Sequence, residues 1–114
     1  MIKVKVNRSN NGIIWEMTVE GHEFSEPGLE GIVCASVSTA IIVTTNAIKF
    51  LRGNEDIEIK VSRGYFKIHA IKYDVTIVKL LENLEYTLDE LKKQYDQQIS
   101  ISKIVGDNFK IWTD

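Results

Sequence analysis

The chain has 114 residues, of which 44% are apolar, and this is enough for one domain with a single hydrophobic core. Fourteen Lys and Arg residues and sixteen Asp and Glu residues give a formal net charge of -2, with no basic cluster. Because nucleic-acid binding requires a basic face that neutralises phosphates, the composition disfavours a direct nucleic-acid partner.

The beginning of the sequence and its apolar runs argue against export and against membrane insertion. The first residues, MIKVKVN, alternate charged and apolar side chains and lack the apolar core of a secretory signal. The longest apolar run, around residues 40–43, is much shorter than a bilayer span. We therefore expect a cytoplasmic protein with no membrane partner.

Residues 2–20 have the pattern of a β-hairpin. Apolar residues at positions 2, 4 and 6 alternate with polar residues, which is typical of a half-buried strand. The sequence NNG at 10–12 favours the backbone angles of a tight turn, and a second strand follows over 14–20. This second strand is predicted to bury three side chains on one face: Trp15, Met17 and Val19.

A loop and a long helix are predicted next. Residues 23–30, EFSEPGLE, contain the only proline and three glutamates, which indicates an exposed loop. From Gly31 or Ile32 to about Arg52 the apolar residues recur at intervals of three and four, as in a helix with one buried face. Gly53 indicates the end of that helix.

The second half of the chain repeats the order strand, strand, helix. Residues 57–61 and 66–70 alternate around a turn at SRG, and Asp74 is a candidate N-cap for a second helix. Thr87 and Glu90 form a candidate capping box, which predicts a kink or restart in that helix. A short fifth strand is predicted from Ile99, and the tail 104–114 has no clear assignment.

This order, ββαββα(β), predicts an α+β fold in a single domain over residues 1–114. The expected architecture is a two-layer sandwich. It has an antiparallel or mixed sheet of four to five strands with two helices on one face.

Cys34, the only cysteine, lies at the predicted start of the first helix. Unsatisfied backbone N–H groups and the positive end of the helix dipole favour a thiolate in the first helical turn. The amides of residues 33–35 are then candidates for an oxyanion hole. His22 ends the second strand, and an eight-residue loop is long enough to bring its ring to the thiol as a general base. Ser38 follows one turn later on the same helical face.

The same residues also have structural interpretations. A lone Cys among Ile, Val and Ala is often a packing residue, and a His at the end of a strand is often solvated. One thiol forms neither an internal disulfide nor a zinc site by itself. His69, on the outward face of the fourth strand, is interpreted as solvated, and Trp15 as part of the core.

Gly21 and His22 at the end of a strand, a glycine-containing loop and IVCASVS at 32–38 form a motif that resembles that of the Prp family. Members of this family are ribosomal-processing cysteine proteases of low-GC bacteria and their relatives. The resemblance covers roughly residues 1–103, including the His-to-Cys spacing.

The resemblance implies a protease that removes the N-terminal extension of large-subunit ribosomal protein number twenty-seven. It implies Cys34 as the nucleophile and His22 as the general base, with Ser38 and Gly21 at further motif positions. It also implies a homodimer with no metal or cofactor.

One position departs from the family pattern. The family usually has Asp three residues before the cysteine, where this chain has Gly31, and the neighbouring Glu30 is a candidate substitute. Two other functions therefore stay open. One is a Prp-like protein that binds a ribosomal protein or assembly factor without cleaving it, and the other is a thiol hydrolase acting on a different acyl substrate.

Overall fold

The computed structural model describes residues 1–21 and 28–106, and for 28–30 it describes the backbone alone. Within these ranges, seven elements follow one another: β1 (Ile2–Arg8), β2 (Ile14–Glu20), α1 (Gly28–Arg52), β3 (Ile57–Ser62), β4 (Tyr65–Ala70), α2 (Val75–Gln94) and β5 (Ile99–Val105). The predicted order ββαββα(β) is confirmed, with the fifth strand present.

The five strands form one mixed sheet in the order β3-β4-β2-β1-β5. The pairs β1–β2, β2–β4 and β3–β4 are antiparallel, and β1–β5 is parallel. Helices α1 and α2 contact each other, and their apolar side chains join those of the strands in one core cluster. The predicted α+β sandwich, with both helices on one face of a mixed sheet, is therefore confirmed.

The alternation of apolar and polar residues decides which face of the sheet the helices cover. On β1, Ile2, Val4 and Val6 are buried, whereas Lys3 and Lys5 between them are exposed. The register continues this apolar face across the sheet, because Val4 lies opposite Val19 and Ile101 lies opposite Val4 on the other side. Full burial of such a side chain contributes about 1.5–3 kcal/mol, so a one-residue slip of register would be costly.

Trp15 is not part of the core, and the prediction for it was wrong. The β1–β2 register shifts between Asn7 and Arg8, so that Arg8 lies opposite Ile14 and Ile14 is fully buried. A bulge of this kind changes which side chains point inward. The half-buried Trp15 ring instead meets His69 edge-on, with ring centroids 5.5 Å apart.

His69 lies on the outer face of the sheet, as predicted, opposite Glu16 on β2. Its Nδ1 is 3.4 Å from Glu16 Oε1, and its ring is half-buried against Trp15. The outer face thus holds His69 in a small polar cluster instead of leaving its ring surrounded by solvent.

Helix α2 begins as predicted and continues without the predicted interruption. The Asp74 carboxylate accepts hydrogen bonds from the backbone N–H groups of Thr76, at 2.8 Å, and Ile77, at 3.1 Å, as an N-cap does. Thr87 lies inside the helix and its hydroxyl donates to the Asn83 carbonyl at 2.8 Å. The capping-box prediction was therefore wrong, because this hydroxyl bonds to the preceding turn and not to a new helix start.

Helix α1 begins at Gly28, three residues before the earlier of its two predicted starts. The last three residues of the predicted loop 23–30 are therefore helical, and the rest of that loop lies outside the described residues. At the other end of the chain, β5 continues to Val105, so the first two residues of the predicted tail 104–114 belong to a strand. Residues 107–114 lie outside the description.

Helix α1 is also long and apolar enough, by length and composition, to cross a membrane over Gly31–Arg52. The sequence argument counted only an unbroken apolar run and missed this property. Val33, Val37 and Ile48 are fully buried in the cluster shared with the sheet and α2, which is the arrangement of a core helix. The absence of a membrane partner remains a prediction.

Candidate active site

A cleft of about 60 Å³ lies where β1 begins, β2 ends and α1 passes over the sheet. Seven of the described residues line it: Met1, Ile2, Gly21, Val33, Cys34, Gln97 and Gln98. Cys34 is a free thiol with only 4% of its surface exposed. The thiol therefore belongs both to the hydrophobic core and to the wall of a small cleft, so the packing and catalytic interpretations of Cys34 are compatible.

Cys34 is the seventh residue of α1, because the helix begins at Gly28. The sequence predicted Cys34 in the first helical turn, but the structure places it in the second. In a helix that begins at Gly28, the amides of residues 33–35 donate to carbonyls of the preceding turn. The prediction that these amides form an oxyanion hole was therefore wrong.

Gln97 and Gln98, which the sequence analysis did not single out, line the same cleft as the thiol. Side-chain amides are among the donors that stabilise an oxyanion in acyl transfer. The backbone of Gln98 is held in place because its carbonyl accepts from the N–H of Ile2 at 2.8 Å. No sequence pattern places these residues near Cys34, because more than sixty positions separate them and only the parallel β1–β5 pairing brings them there.

The backbone at position 21 can accommodate only glycine without strain. Its φ is +88°, in the region that other residues rarely adopt, and a Cβ at this position would lie 2.5 Å from the carbonyl oxygen of Met1. Its own N–H donates to the carbonyl of Gly64 at 2.8 Å, which fixes the end of β2. Gly21 lines the cleft beside Cys34, and His22 is the next residue of the chain.

His22 itself lies outside the described residues. Its predicted contact with the Cys34 thiol stays a prediction, supported by the position of Gly21 and by the covalent link between residues 21 and 22.

Ser38 lies one turn after Cys34 on α1 and has 6% of its surface exposed. Other hydroxyl groups of this helix donate to a carbonyl of the preceding turn, as those of Ser36, Thr39 and Thr44 do. The Ser38 hydroxyl has no hydrogen-bond partner within the described part of the chain. Buried hydroxyl groups usually have a hydrogen-bond partner, so the Ser38 hydroxyl is an exception. It forms no hydrogen bond to the Cys34 thiol.

Gly31 is the fourth residue of α1, so the position at which the family usually carries Asp is helical and has no side chain. The side chain of Glu30, the candidate substitute, is among those the structure does not describe. The described side chains that line the cleft carry no carboxylate.

The carboxylates with clearly perturbed pKa values lie elsewhere. Burial raises the pKa of Glu16, but hydrogen bonds from Lys67, Asn7 and His69 outweigh burial and hold this pKa below its usual range. Glu16 lies on the outer face of the sheet, opposite His69, and not at the cleft. Among the side chains of residues 1–21 and 31–106, no group of three or more His, Cys, Asp or Glu is placed to hold a metal ion.

A mixed α+β sandwich with a single thiol in the wall of a cleft has the features of a small thiol protease. The family model described as cysteine protease Prp matches residues 1–100 of the chain. The chain therefore belongs to the cysteine protease Prp family and is a protease, as the motif around Cys34 predicted.

Solved structures show the same fold. The ribosomal processing protease Prp from S. aureus, crystallised with a substrate peptide, superposes with a TM-score of 0.80 at 22% identity, over 90% of this chain and 99% of that chain. The same enzyme with a covalently linked product peptide gives 0.78 at 23% identity, with the same coverage. SMU.848 from Streptococcus mutans gives 0.75 at 20% identity, over 92% of this chain and 95% of that chain. A comparison with curated proteins finds no match.

Proposed function

We propose that the chain is an endopeptidase that removes the N-terminal extension of large-subunit ribosomal protein number twenty-seven. The observation that carries the proposal is the position of Cys34 in a cleft beside Gly21, the residue that directly precedes His22. The similarly folded S. aureus enzyme is a ribosomal processing protease that accepts a peptide substrate, which supports this choice of substrate class.

In the proposed reaction, His22 takes the proton of the Cys34 thiol and the sulfur attacks the carbonyl carbon of the scissile peptide bond. The tetrahedral intermediate collapses when the C–N bond breaks and the imidazolium returns the proton to the leaving amine. Water then hydrolyses the thioester, which releases the carboxylate product and restores the thiol. The side-chain amides of Gln97 and Gln98 are the candidate donors to the oxyanion.

The test is cleavage of a synthetic peptide that spans the extension, with the products identified by mass spectrometry. We expect one cut with the unmodified protein and none with Cys34→Ala, because only residue 34 supplies a thiol. Cys34→Ser should retain little activity, since a hydroxyl is a far weaker nucleophile without a strong base. His22→Ala should lose about 10²–10⁴-fold in kcat/KM, the usual contribution of general base catalysis. Cleavage that persists in Cys34→Ala would exclude the nucleophile assignment.

A second candidate function is binding without cleavage, and the observation that favours it is Gly31 in place of the family Asp. Alkylation separates the two functions. An activated thiol reacts with iodoacetamide below pH 7, whereas a thiol with the ordinary pKa of about 8.5 reacts slowly there. Slow alkylation of Cys34 together with tight binding of the uncut peptide would favour the binding protein. A panel of ester and amide substrates would detect a hydrolase with another acyl substrate.

We further propose that the protein acts as a cytoplasmic homodimer without a nucleic-acid or membrane partner. Among the described residues, five large apolar side chains are exposed on α1, and three of them are Ile32, Val43 and Phe50. Spacings of eleven and seven residues bring them onto one stripe of the helix, away from its buried face. An exposed apolar stripe of this kind marks a protein–protein interface, and two copies related by a two-fold axis would cover it mutually.

A further inference from the structure

A second and larger cleft, of about 220 Å³, runs along the side of α1 that faces β3. We call it the β3 groove. Its walls come from the helix and from the hairpin β3–β4: Ser38, Ile41, Ile42, Thr45, Lys49, Ile59, Val61 and Phe66. Most of these side chains are apolar, and none of them belongs to the 60 Å³ cleft at Cys34.

The groove exists because the helices do not cover β3 along its whole length. The inward side chains of this strand become progressively more exposed, from the buried Ile57 through the half-buried Ile59 to Val61, which is 72% exposed. Val61 lies opposite Phe66, which is buried. Among the described residues, apolar side chains of β3 therefore have no covering layer, although the neighbouring Phe66 of β4 is buried.

The backbone of β3, whose side chains line the groove, is also open along one side, because β3 is an edge strand of the described sheet. Ile71 N–H donates to the Asp56 carbonyl at 2.9 Å, so these opposed residues form a hydrogen-bonded pair. Such pairs alternate in an antiparallel ladder, which directs the N–H and C=O groups of Ile59 and Val61 away from β4. In the described part of the chain, no strand pairs with them there.

One end of the groove, at Ser38, lies close to the thiol along α1. Ser38, in its wall, is one turn from Cys34, or about 6 Å along the helix axis. The Ser38 hydroxyl, buried and without a partner in the described residues, is a hydrogen-bonding group available to an occupant. From Ser38 to Lys49 the helix rises about 16 Å, a length that an extended chain covers with about five residues.

We propose that the β3 groove binds an extended apolar segment of the protease substrate next to the scissile bond. The segment pairs with the open edge of β3 through Ile59 and Val61, and every second side chain enters the apolar space beneath α1. This mode of peptide recognition takes affinity from main-chain hydrogen bonds and specificity from alternate side-chain pockets. The inference rests on the proposed peptidase function, and it makes Val61 and Ile42 specificity-determining residues.

The test compares matched substitutions at the two edges of the sheet in a Cys34→Ala background, which prevents cleavage. Val61→Lys and Ile42→Lys change the groove, whereas Val105→Lys and Ile104→Lys change the opposite edge strand, β5. Val61 and Val105 are similarly exposed, at 72% and 61%, so neither substitution should disturb the core. Two fluorescein-labelled peptides serve as probes, one from the ribosomal-protein extension and one unrelated peptide of alternating apolar and polar residues.

Fluorescence anisotropy should show at least tenfold weaker binding of the preferred peptide to the two groove variants, and unchanged binding to the two β5 variants. Methylation of successive peptide nitrogens should weaken binding at every second position, because only alternate N–H groups of a paired strand face β3. Equal affinities for all four variants, or no binding of either peptide, would overturn the inference. It would also be overturned if Val61→Lys dissociated a dimer in sedimentation and left peptide affinity intact, since a second copy would then occupy the groove.

The outcome for the groove is distinguishable from the outcome for the proposed function. Suppose that the protein with Cys34 cuts the extension peptide and that groove variants with Cys34 cut it equally well. The proposed peptidase function is then supported, and substrate binding in the β3 groove is excluded. If only the unrelated peptide binds, and Val61→Lys weakens that binding, peptide binding in the β3 groove is supported and the proposed ribosomal substrate is excluded.

Discussion

Gly21 and Gly12 have nearly the same φ angle and very different surroundings. Their φ angles are +88° and +84°, but a Cβ at Gly12 meets no heavy atom within 4 Å, whereas one at Gly21 meets the Met1 carbonyl. A side chain in this region of φ costs about 1–2 kcal/mol by itself. At Gly21 the backbone of the cleft must shift as well, which makes this residue part of the architecture of the site.

We therefore expect Gly21→Ala to lower the free energy of unfolding more than Gly12→Ala does, and to reduce peptide cleavage strongly. Gly12→Ala should cost only about 1–2 kcal/mol and leave kcat/KM unchanged, because it lies in the turn between β1 and β2. Urea denaturation and peptide cleavage measure the two effects. Equal losses of stability and activity in both variants would show that the close approach to Met1 has no effect on the site.

Gly31 stands where the resemblance to the family implies Asp, so a carboxylate introduced at this position tests whether it contributes to catalysis. We expect Gly31→Asp to raise kcat/KM by about tenfold, a part of the roughly 10²–10⁴-fold that an oriented general base provides. Gly31→Asn is the matched control for size, and Gly31→Ala should only stabilise the helix, by about 0.5–1 kcal/mol.

The pH profile of cleavage separates a catalytic effect at residue 31 from a structural one. A carboxylate that orients the imidazole should move the acid limb of the kcat/KM profile, and neither control variant should do so. A gain of activity in Gly31→Asn equal to that in Gly31→Asp would exclude an electrostatic role for the carboxylate.

At the scale of elements, a charged cluster joins α2 to two strands. Glu85 of α2 is buried, forms an ion pair with Arg8 of β1, and lies 3.4 Å from Nζ of Lys103 of β5. Lys103 also donates to Asp89 at 2.8 Å. Burial raises the pKa of Glu85, but the hydrogen bond from Arg8 and the charges of Arg8 and Lys103 hold this pKa below its usual range.

The lowered pKa of Glu85 predicts acid sensitivity. A carboxylate whose pKa is lower in the folded state stabilises the fold above its unfolded pKa of about 4.3, and this contribution is lost as pH falls through the folded value. We expect Glu85→Gln to lower the free energy of unfolding by about 1–3 kcal/mol at pH 7 and to flatten its decline between about pH 5 and pH 3.

Urea denaturation over this pH range measures the effect of Glu85→Gln, with Glu82→Gln as the control. The Glu82 carboxylate is more exposed and lies 3.7 Å from Lys79, so its loss should change the free energy of unfolding by less than about 1 kcal/mol. Parallel pH curves for Glu85→Gln and the unmodified protein would contradict the prediction.

At the scale of the whole molecule, α1 presents three different surfaces. One is buried between the sheet and α2, one borders the β3 groove, and one carries the exposed stripe of Ile32, Val43 and Phe50. The apolar side chains that make this helix resemble a membrane span thus lie on three surfaces: the core, the proposed substrate groove and the proposed dimer contact.

The proposed dimer makes a direct prediction for Phe50, which is 91% exposed. We expect Phe50→Glu to weaken self-association at least tenfold in sedimentation velocity, because it places like charges opposite each other across a two-fold axis. The thermal midpoint of the isolated subunit should not change, since 91% of this side chain is exposed. Tyr86→Glu on the exposed side of α2 is the control. A protein that sediments as a monomer at micromolar concentrations before any substitution would exclude this interface.

Much of the fold follows from local patterns in the sequence. Alternating strands, the three-and-four spacing of both helices and the Asp74 cap predicted the order ββαββα(β), because these signals depend on neighbours a few positions apart. The motif around Cys34 likewise predicted the family. The Trp15 prediction was wrong because a register shift between β1 and β2 depends on both strands at once.

The sequence by itself determined the elements, the side of the sheet that the helices cover and the identity of the thiol. Only the tertiary structure decided that Gln98 reaches the cleft, that the amides of residues 33–35 donate within α1, and that no other described element covers β3 beside Ser38. The physical reason is distance along the chain. Periodicity records which face of an element is apolar, whereas a cleft forms between residues that only the packing of separate elements brings together.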